Sequence, residues 1–303
     1  MFELPTWTLP MPLSRDSLLP DSALQQRLVF SDLDGSLLDH HSYDWTPAKG
    51  WLERLNACGV PVIPVTSKTR SELMSLRQTM GMEQAPFIAE NGAIVGLPSA
   101  WCHARLDRDV GADGLMIRTL GVDIGFIRKR LSVWRERLDA TFSTMSEMTL
   151  EQVVELTGLT ESEARLARLR EGSEPLIWED DNAMLERLRE GLRGDGLRMV
   201  QGGRFWHVTG ECDKGSAVGW LIERFEALRG HHPLTLALGD GPNDVSMLER
   251  VDQAVLIRGG HDLEVSPDQP ALYRSEATGP AGWAEGLAYW WGAMVAPGSD
   301  ADE

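Results

Sequence analysis

Two short acidic segments carry the residue types and spacing from which chemistry can be argued. Asp32-Leu33-Asp34-Gly35-Ser36-Leu37 follows directly on the apolar run Leu28-Val29-Phe30, and Gly239-Asp240-Gly241-Pro242-Asn243-Asp244 follows on the apolar run from Leu234 to Leu238. Side chains two apart on an extended chain share a side, so Asp32 and Asp34 face one pocket beyond the end of their strand. Taken singly, each loop consists of turn-forming residues and has a purely local explanation. Two such loops after two strands of one parallel sheet lie on the same edge, the carboxyl edge at which open α/β sheets take ligands. Together they offer hard oxygen donors of the kind that suit octahedral Mg2+.

The chain around them alternates strand and helix, which argues for a parallel sheet with covering helices. Thr46 with Pro47 at the first helical position opens a helix that closes near Gly59. Val60 to Val65 reads as a second strand, irregular or edge-like because Pro61 and Pro64 cannot donate to a ladder. Thr69 and Glu72 form a capping box for a helix ending at Gly81, and Phe87-Ile88-Ala89 is a third strand running into the turn Glu90-Asn91-Gly92. From about residue 96 to 207 the texture changes to Arg/Glu-rich helices. Thr160-Glu161-Ser162-Glu163 caps one of them, and Glu186, Arg187, Glu190 and Arg193 form a solvated face on another. The first pattern resumes with a long helix from Lys214 to near Gly230, the strand leading to Asp240, and a strand from Ala254 to Ile257.

A core interrupted by an insertion explains this order. The expected fold is α/β, with a doubly wound parallel-sheet (Rossmann-like) core and an inserted mixed α/β cap domain. The core takes residues 28–95 and 208–292 and the cap takes 96–207, between a flexible N-terminal extension (1–27) and an acidic tail (293–303). Trp283, Trp290 and Trp291 read as packing residues of an apolar helix.

Composition narrows the partners. The 303 residues are 42% hydrophobic and 25% charged, in the range of ordinary soluble proteins, and no apolar run reaches the ~20 residues of a membrane-spanning helix. A net charge of −17 argues against nucleic acid and anionic membranes as partners. It also means that an anionic ligand needs local cations, backbone N–H donors or a metal. Cys58, Cys102 and Cys212 are too few and too scattered for a disulfide framework or a zinc site, so a reducing cytoplasm is expected.

The pair of acidic motifs resembles the haloacid-dehalogenase-like phosphatase superfamily. That resemblance implies Asp32 as the nucleophile on phosphorus, Asp34 as acid and then base, Thr66 or Ser67 as the hydroxyl on the transferring phosphoryl group, and Lys214 as the cation beside it. It also implies Mg2+ as cofactor, with Asp32, Asp34, Asp240 and Asp244 around it. Ser36 stands where the superfamily more often has threonine, and both carry a hydroxyl.

Within the superfamily, the chain is similar to the mannosyl-3-phosphoglycerate phosphatases. The likeness lies in Thr66-Ser67-Lys68-Thr69, Ala89-Glu90-Asn91-Gly92-Ala93, Arg170-Glu171-Gly172-Ser173-Glu174-Pro175 and Gly202-Gly203-Arg204-Phe205. It implies hydrolysis of 2-O-mannosyl-3-phosphoglycerate to mannosylglycerate and phosphate, with the cap setting specificity. A small anionic sugar-glycerate phosphate is then the partner, and Lys68, Ser173, Glu174 and Arg204 are the candidate substrate contacts. Gly202-Gly203 admits close backbone approach and Arg204 suits a carboxylate, although the same residues also fit a hairpin with a surface charge. Arg70 is either a further anion contact or exposed. A phosphatase of another sugar phosphate such as glucosyl-3-phosphoglycerate, a phosphomutase and a noncatalytic sensor remain as alternatives on this fold.

Overall fold

The computed structural model describes residues 26–103, 107, 111, 114–201, 205–259 and 265–292. The acidic tail, all but two residues of the N-terminal extension, and Arg204 with Gly202-Gly203 lie outside the described residues. Arg27 already belongs to the first strand, β1 (Arg27–Ser31). Helix α1 (Thr46–Ala57), strand β2 (Val62–Pro64) and helix α2 (Arg70–Thr79) follow. Next come β3 (Phe87–Ala89), β4 (Ile94–Pro98) and β5 (Leu115–Thr119).

The middle of the chain forms α3 (Ile124–Leu138), β6 (Phe142–Thr144), α4 (Leu150–Thr157), α5 (Glu161–Ala167), β7 (Ser173–Trp178), α6 (Asn182–Gly194), β8 (Leu197–Gln201) and β9 (Trp206–Gly210). The last third holds α7 (Lys214–Arg229), β10 (Leu234–Gly239), α8 (Val245–Leu248), β11 (Gln253–Arg258), β12 (Leu272–Thr278) and α9 (Gly279–Trp291).

Five strands make a wholly parallel sheet in the order β12-β11-β10-β1-β2. Its inner strands β1, β10 and β11 are buried on both faces, as a sheet covered on both sides requires, while the edge strand β12 carries Arg274 and Glu276 to solvent. In β1, Val29 points into a cluster with Leu52 and Leu55 of α1 and Trp283, Leu287 and Trp291 of α9. Its neighbours Leu28 and Phe30 point into the opposite cluster, with Val218, Leu221 and Phe225 of α7. Trp283 and Trp291 are packing residues, and their indole N–H groups donate to Ser31 Oγ and Gln253 Oε1, both at 2.9 Å. Strand β2 is short and ends the ladder, because Pro61 and Pro64 have no N–H to give.

Beyond β2 the structure departs from a simple continuation. Strand β3 touches the parallel sheet through one bridge, Val65 to Ile88, and otherwise pairs antiparallel in the sheet β3-β4-β5. Val95, Leu97 and Met116 of that sheet pack into the α7 side of the core. The inserted region has its own antiparallel sheet, β6-β7-β9-β8, whose apolar side meets Ile127 and Leu131 of α3 and Leu188 and Leu192 of α6. Glu186, Arg187, Glu190 and Arg193 face solvent from α6. No helix among the described residues is long and apolar enough to cross a membrane.

Candidate active site

Strands β1 and β10 are neighbours in the same direction, so the loops that follow them meet at the carboxyl edge. The Asp32 amide still donates to Leu238 O at 2.9 Å, which carries the ladder one residue past β1 and presents the Asp32 carboxyl at the strand tip. Gly35, at φ +82°, turns the chain back. A Cβ on Gly35 would lie 2.5 Å from Asp240 Oδ2, so this crossing tolerates only glycine. The next residue, Ser36, donates from Oγ to Asp240 Oδ1 at 3.2 Å.

The lysine comes from a helix start. Asp213 caps α7 by accepting from the Ser216 amide at 2.8 Å, and this cap puts Lys214 at the first helical position. Lys214 is fully buried, and its Nζ donates to Asp32 Oδ1 and Asp244 Oδ1, each at 2.6 Å. Asp244 is fixed in turn by the Asp240 and Gly241 amides, which donate to its Oδ2 at 3.0 and 2.9 Å.

Electrostatics follow from this packing. Burial pushes the Asp32 carboxyl well above the usual carboxylate range, with the charge of Asp244 adding to the effect and that of Lys214 opposing it. Burial alone would lower the Lys214 ammonium, but the Asp244 and Asp32 carboxylates outweigh it and hold the group above its usual range. Asp32, Asp240 and Asp244 each offer a carboxylate oxygen, and these atoms lie within 4.8 Å of one another. An all-oxygen set of that size fits a small hard divalent cation. The Asp34 carboxyl takes a different partner, with Oδ1 3.0 Å from Lys68 Nζ. Lys68 also lies 4.9 Å from the centre of the Tyr43 ring, and Tyr43 itself is in left-handed backbone conformation.

Thr66 and Ser67 sit beside this cluster at the end of β2. Thr66 is fully buried with its hydroxyl accepting from the Lys68 amide at 3.2 Å, whereas Ser67 is partly exposed. The inserted region leans on the same loop, through Arg170 Nη1 donating to Ser67 O at 2.9 Å. Ser173, at the start of β7, is buried and donates from Oγ to Glu90 Oε2 at 2.6 Å. Glu174 points the opposite way and is held inside the inserted region by Arg128 Nε at 2.6 Å and the Ser146 amide at 2.9 Å. Arg70 pairs with Glu171 at 2.8 Å. Strands β8 and β9 pair antiparallel with Gln201 opposite Trp206, and Arg204 lies outside the described residues.

The structure thus brings Asp32, Lys214, Asp240 and Asp244 into one contact network, with Asp34 paired to Lys68 and with Thr66 and Ser67 on the loop that bears Lys68, and keeps Glu174 apart. Tyr43 and Arg170 touch Lys68 and the Ser67 carbonyl, and Glu90 lies behind that loop with its amide on the Lys68 carbonyl; none of the three had been singled out for a role. Glu90 had a local signal in its turn sequence, whereas Tyr43 had none.

The fold has relatives among solved structures. A phosphatase of the haloalkanoate superfamily from Bacteroides thetaiotaomicron is 17% identical, with 90% of this chain and 97% of that one covered and a TM-score of 0.61. A subclass IIB sugar phosphatase of the same superfamily is 16% identical, with 88% and 98% covered and a TM-score of 0.58. The sucrose-phosphatase of Synechocystis, solved with sucrose and phosphate, is 16% identical, with 87% and 97% covered and a TM-score of 0.54. These likenesses establish the fold, a haloacid-dehalogenase core with a cap. The sequence model for sucrose-6F-phosphate phosphohydrolase matches residues 115–291, more than half of the chain. The protein therefore belongs to the sucrose-6F-phosphate phosphohydrolase family, whose members are phosphoric monoester hydrolases of the haloacid-dehalogenase type.

Proposed function

We propose that the protein is a Mg2+-dependent sugar-phosphate phosphatase that works through an aspartyl-phosphate on Asp32. The contact of Lys214 Nζ with both Asp32 and Asp244 at 2.6 Å carries this reading. It places a fixed positive charge beside a carboxylate at the tip of a parallel strand, where a phosphate dianion needs its charge offset before any nucleophile can approach.

In this mechanism the Asp32 carboxylate attacks phosphorus in line, an O–P bond forms to Asp32, and the ester O–P bond breaks. Asp34 protonates the leaving oxygen, then takes a proton from the water that hydrolyses the acyl-phosphate and frees Asp32. Lys68, 3.0 Å from Asp34, orients that carboxyl. A hydroxyl of Thr66 or Ser67 donates to a phosphoryl oxygen. Mg2+ held by Asp32, Asp240 and Asp244 would neutralise further phosphoryl charge.

Residues 28–95 and 208–292 are taken as the catalytic core and 96–207 as the specificity cap, although β4 crosses the first of these limits. We assign 2-O-mannosyl-3-phosphoglycerate as substrate, supported by the cap segments Arg170–Pro175 and Gly202–Phe205, with Lys68, Ser173 and Arg204 as contacts. Glu174, buried and bound by Arg128 and the Ser146 amide, leaves the set of contacts and instead holds the Ser173 strand in place. Three free cysteines, Cys58, Cys102 and Cys212, support a reducing, cytoplasmic setting.

A second reading is sucrose-6F-phosphate as substrate, favoured by the family match over residues 115–291. Phosphate release from both compounds, from glucosyl-3-phosphoglycerate and from hexose phosphates, with and without Mg2+, decides between them. Preference for the mannosyl compound supports the assignment, and preference for sucrose-6F-phosphate replaces it.

A further inference from the structure

We infer that Glu90 is the positioning residue that sets the cap against the catalytic loops, an inference that rests on the phosphatase reading above. Glu90 is fully buried, and three donors from the inserted region converge on its carboxylate. The Glu171 amide donates to Oε1 at 2.8 Å, and the Gly172 amide and Ser173 Oγ donate to Oε2 at 3.1 and 2.6 Å. An ionised carboxylate only accepts, and here two backbone amides and a hydroxyl donate to it.

The backbone around Glu90 faces the site. Its own amide donates to Lys68 O at 3.0 Å and the Asn91 amide to Thr66 O at 2.9 Å. Asn91 Oδ1 accepts from Asn243 Nδ2, in the loop between Asp240 and Asp244, at 3.3 Å. Gly92 passes so close to the start of α7 that a Cβ there would lie 2.1 Å from Asp213 O. Glu90, Asn91 and Gly92 are all left-handed, at φ +52°, +56° and +101°. Two successive non-glycine residues in that region persist only where surrounding contacts over-determine them. One strained turn therefore touches the loop of Thr66 and Lys68, the loop of Asp240 and Asp244, and the helix bearing Lys214, while its side chain grips the cap.

Other links across this boundary each supply fewer bonds: Arg70 to Glu171 and Arg170 to Ser67 O involve partly exposed side chains, and the buried Thr69 makes a single bond, from Oγ1 to Leu166 O at 3.1 Å. Glu90 thus sets the distance between the phosphate-handling loops and the cap surface that meets the rest of the substrate. A glycosyl phosphate needs both halves in register. A small aryl phosphate needs only the core.

The test is Glu90→Gln, assayed on p-nitrophenyl phosphate and on the glycosyl phosphate that the wild type turns over best. Glutamine keeps one acceptor oxygen, so its NH2 must face either the Glu171 or the Gly172 amide. KM for the glycosyl phosphate should rise by about tenfold or more, with kcat/KM on p-nitrophenyl phosphate held within about threefold. Gly172→Ala, whose Cβ would lie 2.8 Å from Ala93 Cβ, should give the same split and carries the test if Glu90→Gln fails to fold. Equal losses on both substrates, or no loss on either, overturn the inference. Hydrogen exchange reads the contact without turnover: slow exchange at the wild-type Glu171 and Gly172 amides supports it and rapid exchange overturns it. A wild type that turns over neither compound refutes the phosphatase reading instead, and leaves the exchange result standing.

Discussion

Lys214 Nζ meets Asp32 Oδ1 at 2.6 Å across 182 positions of sequence, and the same ammonium reaches Asp244 at 2.6 Å. Two buried carboxylates on one side of a pocket repel each other, and this lysine is what lets them coexist there before any metal arrives. The contact ties the two halves of the core together at the point where the reaction is proposed to occur.

Lys214→Met therefore has a structural consequence beyond lost turnover. With the ammonium gone, Asp32 and Asp244 face each other in a buried site, and the protein should lose about 3 kcal/mol of stability. Urea unfolding in EDTA measures this, and Mg2+ should restore part of the loss. Stability equal to wild type in EDTA would show that the pair is held apart by something else.

Divalent metal binding is read most simply from thermal unfolding. A ligand at a hundredfold excess over its Kd adds about 2.7 kcal/mol, so Mg2+ should raise the wild-type Tm by several degrees. Asp240→Asn removes one of the three clustered carboxylates and should weaken that shift. A shift of the same size in the variant would take Asp240 out of the metal set.

His207 gives a pH signature in the cap. It lies on β9 with Nδ1 shut off from solvent and without a hydrogen-bond partner among the described residues. Burial, assisted by the nearby Arg170 charge, pulls its pKa down from 6.5 to about 3. Between those values the unfolded chain binds a proton that the folded chain does not. Its contribution is thus whole above pH 6.5 and is lost as pH falls towards about 3, with a limiting slope of about 1.4 kcal/mol per pH unit. His207→Gln should flatten the stability profile in that window relative to wild type. Identical slopes would mean that His207 protonates freely in the folded cap.

The residues proposed to carry the chemistry were legible as candidates because each follows a local signal: an apolar strand before Asp32, another before Asp240, and a capped helix start at Lys214. Helix ends at Gly81 and Gly230 were legible for the same reason, since capping chemistry is local. Long-range pairing was not. Nothing in Phe87-Ile88-Ala89 distinguishes a strand that continues a parallel sheet from one that turns into an antiparallel sheet with β4 and β5. The convergence of Glu171, Gly172 and Ser173 on Glu90 joins segments more than 80 residues apart, and no periodicity encodes it. Glu174 shows the opposite limit, a polar residue in a conspicuous motif whose partners are Arg128 and Ser146 inside the cap.

Asp32 is proposed as the nucleophile, and phosphate release by Asp32→Asn in the presence of Mg2+ decides whether it is. Asparagine keeps the shape and leaves Lys214 paired with Asp244. The purified variant should retain the wild-type circular dichroism spectrum and release phosphate from the best glycosyl phosphate at least about a thousandfold more slowly. Turnover within about tenfold of wild type by a folded variant would contradict the aspartyl-phosphate mechanism.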